Sequence, residues 1–385
     1  MRFTRLKLEN WRNFRHVDVP LAQRVFVVGA NASGKSNLLD VFRFLRTLAS
    51  PSNGGLATAL EARGGLSQVR CLHSRQRSDV VVEVELQTDD ERAWTYRLAI
   101  GHEHGAPIVN GEVVKAGDEV LLNRPDADDK RDSARRRQTH LEQVGSNAKF
   151  RAIADALASI RYLHLVPQLL RHPEMVRGPD AAARSASDPY GARFLEHVMQ
   201  SPDRTRNARL KKITTALQSV VPLLKDLRVQ TDKSGVPHLE GLFEHWRPKA
   251  GWQNETHFSD GTLRLVALLW SLLEDNGPLL LEEPELSLHR EVVARLAPLL
   301  WIQSGKKSRQ VIVSTHSTDL LGDEGIDASE ILLLLPAAEG TNVVSAATHP
   351  EIKGALANGI SAADAVLSAV APSPRQGTLF EIDRG

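Results

Sequence analysis

The run Gly29-Ala30-Asn31-Ala32-Ser33-Gly34-Lys35-Ser36 satisfies the pattern G-x-x-x-x-G-K-[ST]. Its glycines let the backbone fold into a nest of N–H groups around a phosphate chain, at a helix N-terminus whose dipole favours anions. In such a loop the lysine reaches the β- and γ-phosphates and the hydroxyl holds Mg²⁺. Gly29, Asn31, Ala32, Ser33, Gly34, Lys35, Ser36 and the adjoining Asn37 are therefore candidates to bind a nucleotide. A second constellation is Leu279-Leu280-Leu281-Glu282-Glu283-Pro284, an apolar run ending in two carboxylates. Such a run suits a central parallel strand, and open α/β sheets bind ligands at the carboxyl ends of their strands. Glu282 is placed to order a metal shell and Glu283 to polarise a water. A third run, Gln310-Val311-Ile312-Val313-Ser314-Thr315-His316-Ser317, is another buried strand and ends in a histidine.

These groups need a scaffold, and the flanking patterns supply one. Residues 3–8, 16–20 and 24–28 read as strands, the last ending at Gly29, and residues 35–48 place Leu38, Leu39, Phe42 and Leu45 at helical spacing. Strand, glycine-rich turn and helix is the context that gives a phosphate-loop match its meaning. Residues 79–122 read as an antiparallel meander, whereas 124–143 is dense in Asp, Lys and Arg and reads as a mobile excursion, the least globular part of the chain. Helical patterns follow at 148–160 and 205–224 and strands at 228–246. The last third alternates: helix 262–273, strand 279–282, helix 288–304, strands 310–314 and 330–335, then two short helices to about 370. Alternation at both chain ends around a different insert predicts an α/β fold split in sequence.

Composition narrows the class. The chain has 385 residues, long enough for more than one domain, and 48 Lys and Arg against 47 Asp and Glu leave a net charge of +1. Any basic surface must then be local. Cys71 is the single cysteine, so no internal disulfide or multi-cysteine zinc site forms. The N-terminal residues lack the apolar core of a signal peptide, and the longest apolar stretch, 263–273, is far below the ~20 residues a bilayer requires. A cytoplasmic protein with no membrane span is expected.

Phe258-Ser259-Asp260-Gly261-Thr262-Leu263-Arg264 opens a helix, with Ser259 or Asp260 able to cap it. Placed before the paired glutamates, it resembles the signature motif of the ABC ATPase superfamily, in the form found among RecF-like, SMC-related and OLD-type ATPases. Leu8-Glu9-Asn10-Trp11-Arg12-Asn13-Phe14 resembles that group's N-terminal strand, Glu283-Pro284-Glu285-Leu286-Ser287-Leu288-His289 its Walker B and D-loop, and Ser314-Thr315-His316-Ser317 its switch-histidine loop. The resemblance covers about residues 1–50 and 255–320. It implies a P-loop NTPase head of ABC type, split over 1–123 and 250–370, with a mixed α/β and helical lobe at 124–249 and a C-terminal tail at 371–385. It further implies that Lys35 and Ser36 bind ATP and Mg²⁺, Glu282 supports the metal, Glu283 is the general base and His316 senses the γ-phosphate. Arg12 and Asn13 would lie near the base or phosphates, and Ser259, Asp260 and Gly261 would act on the nucleotide of a second subunit.

Two features depart from the group's pattern. Glu282 stands where most ABC proteins have aspartate, and the first lobe lacks a clear Q-loop, leaving Gln68 as the candidate metal ligand there. The insert is too short and too β-rich for long coiled-coil arms. The residues after His316 offer no acidic cluster for a Toprim nuclease, so the chain is not expected to cut DNA by itself. The resemblance thus implies an ATP hydrolase that dimerises around ATP and couples nucleotide state to DNA or to a separately encoded nuclease or toxin, in repair or anti-phage defence. A non-hydrolysing structural clamp is the alternative, while a transporter subunit would carry the Leu-Ser-Gly-Gly-Gln signature. DNA could meet Arg204, Arg206, Arg209, Lys211 and Lys212 on one basic helix, or Arg135, Arg136 and Arg137. Gln376-Gly377-Thr378-Leu379-Phe380 looks like a sliding-clamp docking peptide.

Overall fold

The computed structural model describes residues 1–74, 79–88, 91–172, 188, 190–245, 251–274, 277–307 and 309–370. The tail at 371–385, with its expected clamp peptide at 376–380, lies outside the described residues. In chain order the strands are β1 (Arg2–Trp11), β2 (Phe14–Pro20), β3 (Arg24–Gly29), β4 (Val80–Gln87), β5 (Ala93–Glu103), β6 (Ala106–Ala116), β7 (Glu119–Arg124) and β8 (Arg161–Leu163). They continue with β9 (Leu224–Thr231), β10 (Pro237–Phe243), β11 (Trp252–Asn254), β12 (Leu279–Glu282), β13 (Val311–Thr315), β14 (Ile331–Ala337) and β15 (Gly340–Ser345).

The central sheet runs β15-β14-β3-β13-β12-β8 and is parallel apart from β15. Its apolar runs exist because both faces are covered. Val25, Val27, Leu280, Ile312, Leu332 and Leu334 point to one side and Phe26, Val28, Leu279, Leu281, Val311, Val313, Ile331 and Leu333 to the other. On the first side lie helix Lys35–Ala49 and, beyond it, an antiparallel sheet in the order β2-β1-β4-β5-β6-β7. Phe42 packs edge-on to Phe3 at 5.0 Å between ring centroids, and Phe44 packs similarly on Trp11 at 5.2 Å. Helices Asp260–Leu273 and Leu296–Lys307 cover the second side, and the small sheet β11-β10-β9 joins the same core.

Buried polar side chains join the two ends of the chain. Gln310 accepts from Phe3 N at 2.9 Å and donates to Phe3 O and Ala22 O at 2.7 and 2.8 Å. Arg24 is forked onto Glu330 at 3.0 and 2.7 Å. Each satisfies groups that would be costly to bury alone.

The acidic and basic stretch after β7 is better packed than its composition suggests. Arg124 is buried between Glu112 and Asp129, at 3.0 and 2.8 Å, and Glu112 also accepts from His140 N and Leu141 N. Arg124 and Asp129 thus pair in the interior while Asp128, Lys130, Arg131, Asp132 and Arg137 remain exposed, a division that a composition count cannot distinguish. Residues 148–163, placed by sequence in the inserted lobe, send helix Arg151–Ala158 into the first core and β8 into the central sheet. The basic helix ends at Leu217, where the sequence pattern extends to 224, because Leu224 already opens β9.

Candidate nucleotide site

The phosphate loop leaves β3 and enters helix Lys35–Ala49 through Gly34, whose φ of 103° a side chain would resist. A Cβ there would also lie 2.3 Å from Asn13 Nδ2. The helix has no side-chain cap and no acidic residue in its first turn, so its leading N–H groups and positive dipole end face the loop. Lys35 is buried, and its ammonium donates to Gly29 O at 3.0 Å and Ala30 O at 3.3 Å. Ser33 Oγ is buried with no hydrogen-bond partner among the described residues. The Lys35 ammonium, the orphan Ser33 hydroxyl and the uncapped amides form a donor set that fits a polyphosphate. Asn31 and Ala32 are exposed on the loop.

The β1–β2 hairpin braces this loop. Asn13 donates to Ser33 O and to Thr341 Oγ1, both at 2.9 Å, and accepts from Asn37 Nδ2 at 2.8 Å, while Trp11 Nε1 donates to Asn37 O at 3.1 Å. Arg12 instead directs its guanidinium to Asp40 at 3.0 Å, beside Arg63. Burial pushes the Asp40 carboxyl up, but Arg63, Arg43 and Arg12 outweigh it and leave it below the usual carboxylate range. Gln68 is exposed on the short turn Leu66–Val69, which the hairpin holds through Arg12 N donating to Val69 O at 2.6 Å. Its side chain makes no hydrogen bond among the described residues.

At the carboxyl ends of β12 and β13 the distant motifs meet. Ser36 Oγ donates to Glu282 Oε1 across 246 positions of sequence. The other oxygen of Glu282 accepts from the Tyr162 hydroxyl, a group the sequence does not single out. Tyr162 reaches it because β8 lies parallel to β12, with Leu280 opposite Tyr162. Burial and the neighbouring Glu282 raise the phenol far above its ordinary value, so it stays a proton donor. Arg43 stacks over the ring at 4.4 Å from its centroid. Among the described residues no group of three His, Cys, Asp or Glu side chains could cage a metal. A hydroxyl beside one carboxylate fits Mg²⁺, which keeps waters and takes substrate phosphates as its other ligands.

Glu283 follows with a φ of 44°, its N–H donating to Ser314 O at 3.0 Å, and its carboxylate sits 3.2 Å from His316 Nδ1. Glu285 is buried, accepts from Thr315 Oγ1 at 2.5 Å, and burial raises its carboxyl. The signature corner packs against this loop. Ser259 caps helix Asp260–Leu273 by accepting from Thr262 N at 3.2 Å, and a Cβ on Gly261 would meet Ser287 O at 2.5 Å. Glycine is needed there for close approach. Ser259 is exposed and Asp260 and Gly261 partly so, which leaves the corner accessible to another molecule.

The basic candidates divide. Arg206 is tied to Asp203 at 2.6 Å, Arg209 stacks on Trp270 at 5.2 Å, and Arg136 bonds Val109 O and Asn110 Oδ1 at 3.0 and 2.6 Å. Arg204, Lys211 and Lys212 are exposed on their helix.

Comparison with known proteins follows the same lines. Residues 24–322 match the family described as "AAA domain, putative AbiEii toxin, Type IV TA system". The chain belongs to this AAA domain family. Among solved structures it resembles an Smc head bound to the C-winged helix domain of ScpA, with a TM-score of 0.54 and 15% identity over 90% of this chain and 97% of that one. It also resembles the Smc head domain with an extended coiled coil bound to the C-terminal domain of ScpA, from Pyrococcus furiosus, with a TM-score of 0.50 and 14% identity over 89% and 96%. The fold is thus that of an ABC-type ATPase head of the SMC/RecF-like group. No curated relative matches the chain. Among the described residues no helix is long and apolar enough to cross a membrane.

Proposed function

We propose that this AAA-family chain binds ATP with Mg²⁺ and hydrolyses it. The observation that carries the reading is the meeting of Ser36 with Glu282, while Glu283 and His316 stand side by side at the next position. Gly29, Asn31, Ala32, Ser33, Gly34, Lys35, Ser36 and Asn37 hold the triphosphate, and Asn13 supports the loop from behind. Bound Mg²⁺, held by Ser36 and Glu282, supplies neutralisation of phosphate charge. The Glu283 carboxylate accepts the proton of the water whose oxygen bonds the γ-phosphorus as the bond to the bridging oxygen breaks and ADP leaves, and His316 orients that carboxylate and monitors the γ-phosphate. Ser259, the cap of its helix, and Gly261 complete the pocket of a second copy, giving a dimer with ATP between subunits.

Nucleotide state then gates a partner, either DNA met through Arg204, Lys211 and Lys212 or a separately encoded nuclease or toxin, in repair or anti-phage defence. The test is phosphate release by the wild-type chain and by Glu283→Gln. The variant is expected to bind ATP, persist as a dimer and lose turnover by ~10²–10⁴-fold, the worth of a positioned general base. Normal turnover by Glu283→Gln removes that residue as base. Wild-type binding without phosphate release would instead establish a structural clamp.

A further inference from the structure

Asp260 carries a charge that the proposed dimer makes awkward. A carboxylate in the first turn suits its own helix, since it complements the positive dipole end. The same carboxylate would repel a triphosphate approaching that turn from a partner subunit. The molecule compensates it from another part of the chain. The short helix Pro167–Arg171 sends Arg171 to Asp260 Oδ1 at 2.7 Å and to Phe258 O at 2.8 Å, while Gln168 donates to Asp260 Oδ2 at 2.7 Å. Both carboxylate oxygens are thereby engaged, and the guanidinium also clasps the backbone just ahead of the cap. Arg171 is largely covered, with its side chain 19% exposed, against 34% for Asp260.

We propose that Arg171, assisted by Gln168, is a positioning residue for the signature corner: it neutralises Asp260 and holds it back, so that Ser259 and the leading amides of the helix can meet the partner's polyphosphate. The inference rests on the proposed ATP-bridged dimer and deepens it by naming what makes an acidic signature compatible with an anionic ligand. Arg171 touches neither the phosphate loop nor the paired glutamates, so its effect is confined to the intersubunit step. The stretch of chain that carries Tyr162 to Glu282 thus goes on to carry Arg171 to Asp260.

The experiment compares wild type, Arg171→Met and the double variant Arg171→Met/Asp260→Asn in the full chain, measuring ATP binding, ATP-dependent dimerisation and phosphate release. Arg171→Met should bind ATP as wild type does, because a partly exposed ion pair adds little to folding. Its dimerisation and turnover should fall about ten- to a hundredfold, because closing the dimer would bury beside the partner's polyphosphate a carboxylate that nothing then neutralises. The double variant should recover most of that loss, since asparagine needs no counter-charge. A purely structural role for Arg171 predicts no such rescue. Dimerisation and turnover by Arg171→Met equal to wild type, or a double variant no better than the single one, overturns the proposal. A wild-type chain that binds no ATP overturns the underlying reading and this inference with it, a result separate from both.

Discussion

Tyr162→Phe removes one oxygen and leaves the ring, its packing and the Arg43 stack in place. The lost group is the hydroxyl that donates to Glu282. Hydrogen bonds to a charged acceptor contribute about 1.5–3 kcal/mol. Tyr162 is only 8% exposed, but Glu282 has some access to water, which argues for the lower half of that range. At 1.4 kcal/mol per decade, ~1.5–2 kcal/mol corresponds to a roughly ten- to thirtyfold loss. That loss should fall on metal use, because Tyr162 holds the carboxylate that faces Ser36 and makes no contact with the loop that cradles phosphate. The assay is a Mg²⁺ titration of phosphate release at saturating ATP, together with ATP binding in EDTA. The half-saturating Mg²⁺ concentration should rise by that factor, and metal-free binding should not change. Since the phenol is pushed far above its usual value, the difference should be flat between pH 6 and 9. An unaltered Mg²⁺ requirement, or a loss confined to metal-free ATP binding, would show that Tyr162 does not position Glu282.

Three further outcomes follow from the same geometry. Gly261→Ala should abolish ATP-dependent dimerisation in size-exclusion chromatography while sparing ATP binding, because its Cβ would sit 2.5 Å from Ser287 O; a normal dimer would show that the corner can give way. Lys35→Ala should lose ATP binding itself, measured by fluorescence titration, since the ammonium caged by Gly29 O and Ala30 O is the positive charge inside the loop. Arg124 holds the Asp129 carboxyl down to about 2, against burial, so Asp129 stabilises the fold above its unfolded value of ~3.9 and loses that contribution as pH falls from about 4 towards 2. Asp129→Asn should flatten this part of the acid-unfolding curve measured by chemical denaturation, and an unchanged slope would refute the assignment.

Residue types and their spacing were enough to locate the chemistry-bearing runs and the strands that carry them. Gly29–Ser36, Glu282-Glu283 and His316 each sit at the end of an apolar run, and local spacing shows both the run and its end. The signature corner was equally legible, as a capped helix start. Which side chains converge on these groups emerges only in the folded chain. β8 has three residues, too few for any periodicity, and only its register against β12 delivers Tyr162 to Glu282. Arg171 and Gln168 lie 89 and 92 positions from Asp260, and no local pattern relates them. Arg12 sits in the expected hairpin yet turns to Asp40, and Arg124 buries a charge cluster that reads as solvated. Local sequence constrains backbone dihedrals and which face is apolar, whereas the pairing of buried charges depends on distances between segments that only the folded chain sets.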